Sequence, residues 1–370
     1  LAAQEREVVR RKDTFTVEID AGERDGGCFT FDACWAPSKQ EEIFEDVKDL
    51  VQSAVDGYNI TVFAYGQTGA GKTFTMYGPG QVPSAKASSS SRKDLRRGMS
   101  QAALERASAG AMPPELAGIC PRVADEVFGI IANRQIQFNF NVIFSMVELY
   151  CSNFIDLLDV GSDKYLKVRK TPAGEVFLEN LTEHEVTSPE AVRRLLRGGL
   201  RERKIRSTTM NQESSRSHVL FIMKVVSTSK ETGEQRLGKM LLVDLAGSER
   251  VKRSGVTGDG LQEAIEVNKS LSALGDVIGA LARGETHVPY RNHELTQLMQ
   301  DSLGGTAKTL MFVNLSPAAC NREESFMSLK YAQRVRGVTN KPTIQRAPTR
   351  RLEANDPADD PAERGSNEKA

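Results

Sequence analysis

Residues 58–73 read YNITVFAYGQTGAGKT. The first half, YNITVFAY, is β-branched, aromatic and apolar, the composition of a strand buried on both faces. The second half, Gly66-Gln67-Thr68-Gly69-Ala70-Gly71-Lys72-Thr73, fits the phosphate-loop pattern GxxxxGK[ST]. Glycines let the backbone turn tightly and aim several N–H groups at phosphate oxygens. The following run KTFTMY continues as a helix and adds the positive end of its dipole. In this pattern Lys72 reaches the β- and γ-phosphates and Thr73 ligates Mg²⁺. A glycine-rich turn that binds nothing is the bland alternative, and the strand before the loop and the helix after it speak against it.

Working outward, other apolar runs read as core strands: 138–150, 218–226, 239–245 and 308–315. Before the phosphate-loop strand, Ser38 with Glu41 makes a capping box. Ile43, Phe44, Val47, Leu50, Val51, Ala54 and Val55 then recur at helical spacing up to Gly57. Strands alternating with helices predict an α/β fold with a largely parallel central sheet flanked by helices in three layers.

Composition narrows the functions. Lys+Arg and Asp+Glu are both 49, so the formal net charge is zero over 370 residues. A general nucleic-acid binder carries a marked basic excess. No stretch approaches the ~18 apolar residues of a membrane span. Five scattered cysteines (Cys28, Cys34, Cys120, Cys151, Cys320) form no CxxC and suggest reduced thiols in a cytosolic protein. The four histidines show no ligand spacing. Residues 81–117 are rich in Ser, Ala and basic side chains and read as a long, exposed, mobile insertion after the phosphate-loop helix. Four prolines break 341–370, which reads as a neck-like segment and tail.

Two further segments carry the chemistry of a γ-phosphate sensor. Val243-Asp244-Leu245-Ala246-Gly247 ends an apolar strand with Asp-x-x-Gly. The Asp can hold the Mg²⁺ shell, and the Gly amide can bond the γ-phosphate. Asn211-Gln212-Glu213-Ser214-Ser215-Arg216-Ser217-His218 is a polar run directly before a strand, which could meet Mg²⁺ or phosphate or be a solvated turn.

Together these segments resemble the kinesin motor domain. AYGQTGAGKTFTM is similar to that family's phosphate loop, NQESSRSH to its first switch and LVDLAGSER to its second. The likeness continues through NKSLSALGDVIGAL, VPYRNHELTQLMQDSLGG, TLMFVNLSP and SLKYAQRVRGV, covering about 29–340. It implies an ATPase stimulated by microtubules, with ATP/ADP and Mg²⁺ as ligands. It assigns nucleotide contacts to Gly66, Gln67, Thr68, Gly69, Ala70, Gly71, Lys72, Thr73, Phe74, Asn211, Ser214 and Ser215. It assigns metal contacts to Thr73, Ser215 and Asp244. Catalytic roles fall on Lys72, Ser215, Arg216, Gly247 and Glu249, with an Arg216–Glu249 ion pair closing the switches. Microtubule contacts fall on Lys252, Arg253, Lys269, His287 and Arg291. The resemblance supplies that last set, because residues 250–299 hold six Lys/Arg and six Asp/Glu.

The resemblance also frames the rest of the chain. Val267, Leu271, Leu274, Ile278 and Leu281 step by four and three along a helix that Arg283-Gly284 would end. In kinesins this helix relays the switch state to the microtubule. The basic run 193–206, with seven bases and one acid, reads as a solvated face leading into the first switch. The motor domain is expected over 1–340, opening at Leu1 past the family's first strand, which ends in an Arg-x-Arg-Pro-type motif. VQSAVDGYN, SALGDVI, PYRNHELT and YAQRVRGVTN are most similar to the C-terminal-motor, minus-end-directed subfamily and its calmodulin-binding members. The broken tail supports no calmodulin helix here. A homodimer would form through a stalk outside this chain, in the cytoplasm on microtubules. A GTPase-type switch would carry Asn-Lys-x-Asp, and Asn268-Lys269-Ser270-Leu271 lacks the Asp. A non-motile microtubule-binding module is the other alternative. Retention of the catalytic set speaks against it.

Overall fold

The computed structural model describes residues 6–20, 27–36, 38–79, 114–159, 161–162, 164–172, 174–209, 214–250 and 259–346. Numbered along the chain, the strands are β1 (Val9–Arg11), β2 (Thr16–Ile19), β3 (Gly27–Thr30), β4 (Ile60–Tyr65), β5 (Phe138–Tyr150), β6 (Asn153–Asp156), β7 (Lys167–Lys170), β8 (Val176–Glu179), β9 (His184–Val186), β10 (Ser217–Ser229), β11 (Gln235–Asp244) and β12 (Lys308–Val313). The α-helices are α1 (Gln40–Val55), α2 (Lys72–Tyr77), α3 (Ile119–Arg134), α4 (Pro189–Thr209), α5 (Asp259–Ala282), α6 (Glu294–Leu298) and α7 (Arg322–Val335).

All six side chains of β4 are buried. It lies inside a seven-stranded sheet of order β12-β4-β11-β10-β5-β6, with β9 also on β5. The pairings of β4 with β11 and β12 are parallel, whereas β11–β10, β10–β5, β5–β6 and β5–β9 are antiparallel. The sheet is therefore mixed, and parallel only around β4. The reason lies in the chain: β10 and β11 join through a short turn at 230–234, and a tight hairpin can link only antiparallel neighbours.

Two apolar cores sandwich the sheet, as the three-layer expectation requires. One packs Phe44, Val47, Val51, Val123, Val127, Val192 and Leu196 of α1, α3 and α4 on Val62, Phe144 and Phe221. The other packs Val267, Leu271, Leu274 and Ile278 of α5, with α6 and Tyr331 of α7, on Phe63, Val147, Leu220 and Val243. The five sequence-predicted strands fall at β4, β5, β10, β11 and β12. Helix α1 starts at Gln40, and the cap lies one residue later than expected: the Glu42 carboxylate accepts the Lys39 N–H at 3.3 Å. Gly284, at φ 67°, ends the turn after α5 as the Arg283-Gly284 signal predicts. Most of the insertion expected at 81–117 lies outside the described residues, as does the tail beyond 346. A small antiparallel sheet, β1-β2-β3, packs Phe29 edge-on against Phe326 of α7.

Residues 341–346 run along the core. Gln345 N donates to Gly57 O at 2.8 Å and Leu237 N to Gln345 O at 3.0 Å. Asn340 anchors this run: Nδ2 reaches Ser302 O and Ala307 O, both at 2.8 Å, and Oδ1 accepts Gly304 N–H at 2.7 Å. Residues 341–346 are thus held against the core by hydrogen bonds. Asn340→Ala strips partners from two carbonyls and one amide, at about 1–3 kcal/mol. Thermal unfolding should fall accordingly, and the amide of Gln345 should exchange faster with solvent.

Candidate nucleotide and switch site

The phosphate loop leaves the C-terminal end of β4 and enters α2. Gly66 takes φ 146°, and a Cβ there would overlap the Asn314 carbonyl oxygen after β12. Only glycine allows β4 to end against its parallel neighbour in this way. Ala70 N donates to Gln67 O at 3.2 Å, tightening the loop. Gly71 at φ 104° is the N-cap of α2, and Phe74 stands half-exposed one turn on.

Lys72 is buried at 6% exposure, and its Nζ donates to Gly66 O at 2.8 Å and Gln67 O at 2.9 Å. Burial pulls its pKa down, and the Asp244 and Glu249 carboxylates oppose that. The ammonium is held by carbonyls of the loop itself, so it can exchange them for phosphate oxygens without crossing the site.

The second switch segment reaches the loop directly and the first is joined to it. Thr73 Oγ1 donates to Asp244 Oδ2 at 2.7 Å. Asp244 is buried at the end of β11, and burial raises its pKa against the pull of Arg203, Thr73 and Lys72. Its other oxygen, Oδ1, is buried with no hydrogen-bond partner among the described residues. An ionised carboxylate with one empty lone-pair site, beside a threonine hydroxyl, is the donor set of a hard cation such as Mg²⁺. Gly247 N donates to Ser215 O at 2.9 Å and Ser248 N to Gly66 O at 3.1 Å, joining the two switch segments and the loop. Ser215 lies in the short 3₁₀ turn Ser214–Arg216. Asn211, Lys252 and Arg253 lie outside the described residues.

The expected Arg216–Glu249 pair is not formed in this structure. Glu249 accepts the Thr68 N–H at 2.8 Å and also its hydroxyl. Arg216, buried at 8% exposure, donates to Glu263 of α5 at 2.6 Å. Proximity in three dimensions decides this: α5 starts beside the first switch, and the Thr68 amide lies closer to Glu249 than the guanidinium does. Of the outer contacts named from the resemblance, Lys269, His287 and Arg291 are exposed, Lys269 beside Glu266 at 3.6 Å.

Sequence reading missed three residues. Arg203 does not share the solvated face of the basic helix. It is buried, with Nε 3.5 Å from Glu148 and Nη1 3.8 Å from Asp244. The signal was available: Arg203 follows Val192, Leu196 and Gly199 on the apolar stripe of α4. Glu148 is likewise an acid inside the otherwise apolar run 146–150 at the end of β5. Glu263 carried no comparable mark.

The kinesin motor domain family matches residues 2–338. The chain belongs to that family. Its relatives include "Kinesin-like protein KIN-14E" of Arabidopsis thaliana, 44% identical over 92% of this chain and 24% of that protein. "Kinesin-like protein KIN-14I" of Oryza sativa subsp. japonica is 43% identical over 94% of this chain and 25% of that protein. The chain thus spans about a quarter of these kinesin relatives. A solved structure described as "Structure of a fast kinesin: Implications for ATPase mechanism and interactions with microtubules" superposes with TM-score 0.79 at 34% identity. It covers 94% of this chain and 90% of that one.

One buried group of this kinesin domain gives a pH test. Burial, with His293, Arg203 and Lys72 nearby, lowers the His218 pKa from 6.5 to about 3. Below pH 6.5 the unfolded chain protonates this residue and the folded chain does not, so stability falls as pH drops through that window. The slope approaches ~1.4 kcal/mol per pH unit. Between pH 7 and 5.5, urea unfolding of wild type should lose about 1 kcal/mol more than His218→Asn does.

Proposed function

We propose that this chain is the motor domain of an ATP-driven, microtubule-based kinesin. It hydrolyses ATP with Mg²⁺ and couples loss of the γ-phosphate to microtubule affinity. One observation carries the reading: the second switch segment is hydrogen-bonded to the phosphate loop through Thr73–Asp244 and Thr68–Glu249, and it holds the first through Gly247 N–H to Ser215 O.

Residues 66–74 would cradle the nucleotide, with Asn211, Ser214 and Ser215 closing from the first switch. Lys72 would release the two loop carbonyls and take β- and γ-phosphate oxygens. Thr73, Ser215 and Asp244 would hold Mg²⁺, which supplies charge neutralisation at the phosphates. Backbone amides of the loop and Gly247 would stabilise developing charge.

Closure is a partner exchange. Glu249 would leave Thr68, Arg216 would leave Glu263, and the two would pair. Opposite charges at ~4 Å attract by about 4 kcal/mol at an effective dielectric of ~20. Existing partners must be given up, so open and closed arrangements are nearly balanced. A modest contact with the γ-phosphate can then tip the equilibrium.

Microtubule contact would run through Lys252, Arg253, Lys269, His287 and Arg291 around α5, in the cytoplasm. Minus-end direction follows from the likeness to kinesins bearing the KIN-14 name. Dimerisation would use a stalk outside this chain. Calmodulin binding has no support in this segment.

Turnover of ATP should rise when microtubules are added, and surface-bound motor should glide polarity-marked microtubules as a minus-end motor does. Unstimulated turnover would sink the motor reading. Arg216→Ala and Glu249→Ala should each bind nucleotide within a few-fold of wild type yet lose about 10²-fold or more in turnover. Full turnover in either variant would remove the exchange mechanism.

A further inference from the structure

His218 stands at the junction of three elements. It is the second residue of β10, directly after the first-switch turn. Its side chain is buried at 2% exposure. Nδ1 accepts the Ala246 N–H at 3.0 Å, and Nε2 lies 2.7 Å from Ser270 Oγ on α5. Ser270 Oγ in turn donates to Val267 O at 2.6 Å. These contacts assign the tautomer. An Nδ1 that accepts leaves the proton on Nε2, which donates to the serine oxygen, and the serine proton goes to the helix carbonyl. The chain from Ala246 N–H through the imidazole to Ser270 and Val267 is satisfied at every atom.

Ala246 precedes Gly247, whose amide holds Ser215 of the first switch. The imidazole therefore ties the loop expected to respond to the γ-phosphate to the middle of the long helix α5. Among the described residues α5 also packs Val267 and Leu271 in one apolar cluster with Leu245 and Ala246, and it holds the first switch through Arg216–Glu263, which the partner exchange would break. The histidine link shares neither partner with the Arg216–Glu263 pair.

We propose that His218 is a positioning residue that makes α5 follow the second-switch loop, and so transmits the nucleotide state to the microtubule-facing helix. This rests on the motor reading above. The ring acts as a rigid strut. Its two nitrogens are fixed in one plane, so a displacement at Ala246 is passed to Ser270 without rotamer slack. The neutral ring suits the role, because burial and the neighbouring cations keep it unprotonated at working pH.

The test separates the two halves of the strut in the 370-residue chain. His218→Asn can still accept from Ala246 but cannot reach Ser270. Ser270→Ala removes only the far partner and leaves the ring in place. Nucleotide affinity and turnover without microtubules should stay within about threefold of wild type in both. Affinity is then measured for microtubules polymerised from purified tubulin, with ADP and with a non-hydrolysable ATP analogue. The ratio of the two affinities should fall about tenfold in each variant, a coupling of ordinary size. The double variant should fall no further, since both changes cut one link. An unchanged ratio in Ser270→Ala overturns the proposal, and that variant decides alone if His218→Asn does not fold. Additive losses in the double variant also overturn it. A wild-type chain with no nucleotide-dependent ratio would fail the motor reading instead.

Discussion

The parallel pairing of β11 with β4, which sets Asp244 opposite Ala64, governs where the functional parts of this chain can sit. Two parallel neighbours end at the same edge of the sheet, so the loop after β4 and the loop after β11 emerge side by side. One becomes the phosphate loop and the other the second switch. A one-residue slip would turn Asp244 to the other face of the sheet and separate it from Thr73. β12 pairs with β4 in parallel on the other side and brings Asn314 against Gly66. The antiparallel half, β10 and β5, delivers the first switch and Glu148 to the same edge.

This edge gathers charges that a protein interior ordinarily excludes. Lys72, Asp244, Arg203, Arg216 and Glu148 are all buried. Desolvating each costs several kcal/mol, and the pairs recover that only where geometry is good. Several contacts here are loose: Arg203 stands 3.5 Å from Glu148 and 3.8 Å from Asp244. Asp244 Oδ1, Gln67 Oε1 and Asn314 Oδ1 are buried without hydrogen-bond partners among the described residues. Such polarity held in reserve suits a site that awaits a charged ligand better than one built for stability. Tyr65 extends the site toward the chain's last helix: its ring stacks on Tyr331 of α7 at 4.3 Å.

Much of this was legible in the chain. The long core strands, the helix from Gln40, the phosphate loop and the Asp-x-x-Gly segment all declare themselves locally, because apolar periodicity and glycine spacing are local properties. The antiparallel half of the sheet was harder, since a fully apolar strand carries no mark of its neighbour's direction. The small strands β1, β2, β3, β6, β7, β8 and β9 were too short for periodicity. Arg203 was misplaced because a basic run was read as one exposed face, although Arg203 shares the stripe of Val192 and Leu196.

By itself the sequence determined that this is an α/β chain with a phosphate loop, and it singled out Lys72, Thr73, Asp244, Gly247 and Glu249, although not Arg203, Glu148 or Glu263. Only the tertiary structure decided which of those residues hold one another. Glu249 meets Thr68, Arg216 meets Glu263, and His218 bridges Ala246 to Ser270, although Ser270 lies 52 positions along the chain. Motif spacing encodes which groups a backbone turn can present. Pairing between distant segments follows from sheet register and helix docking, which emerge only when the whole core packs.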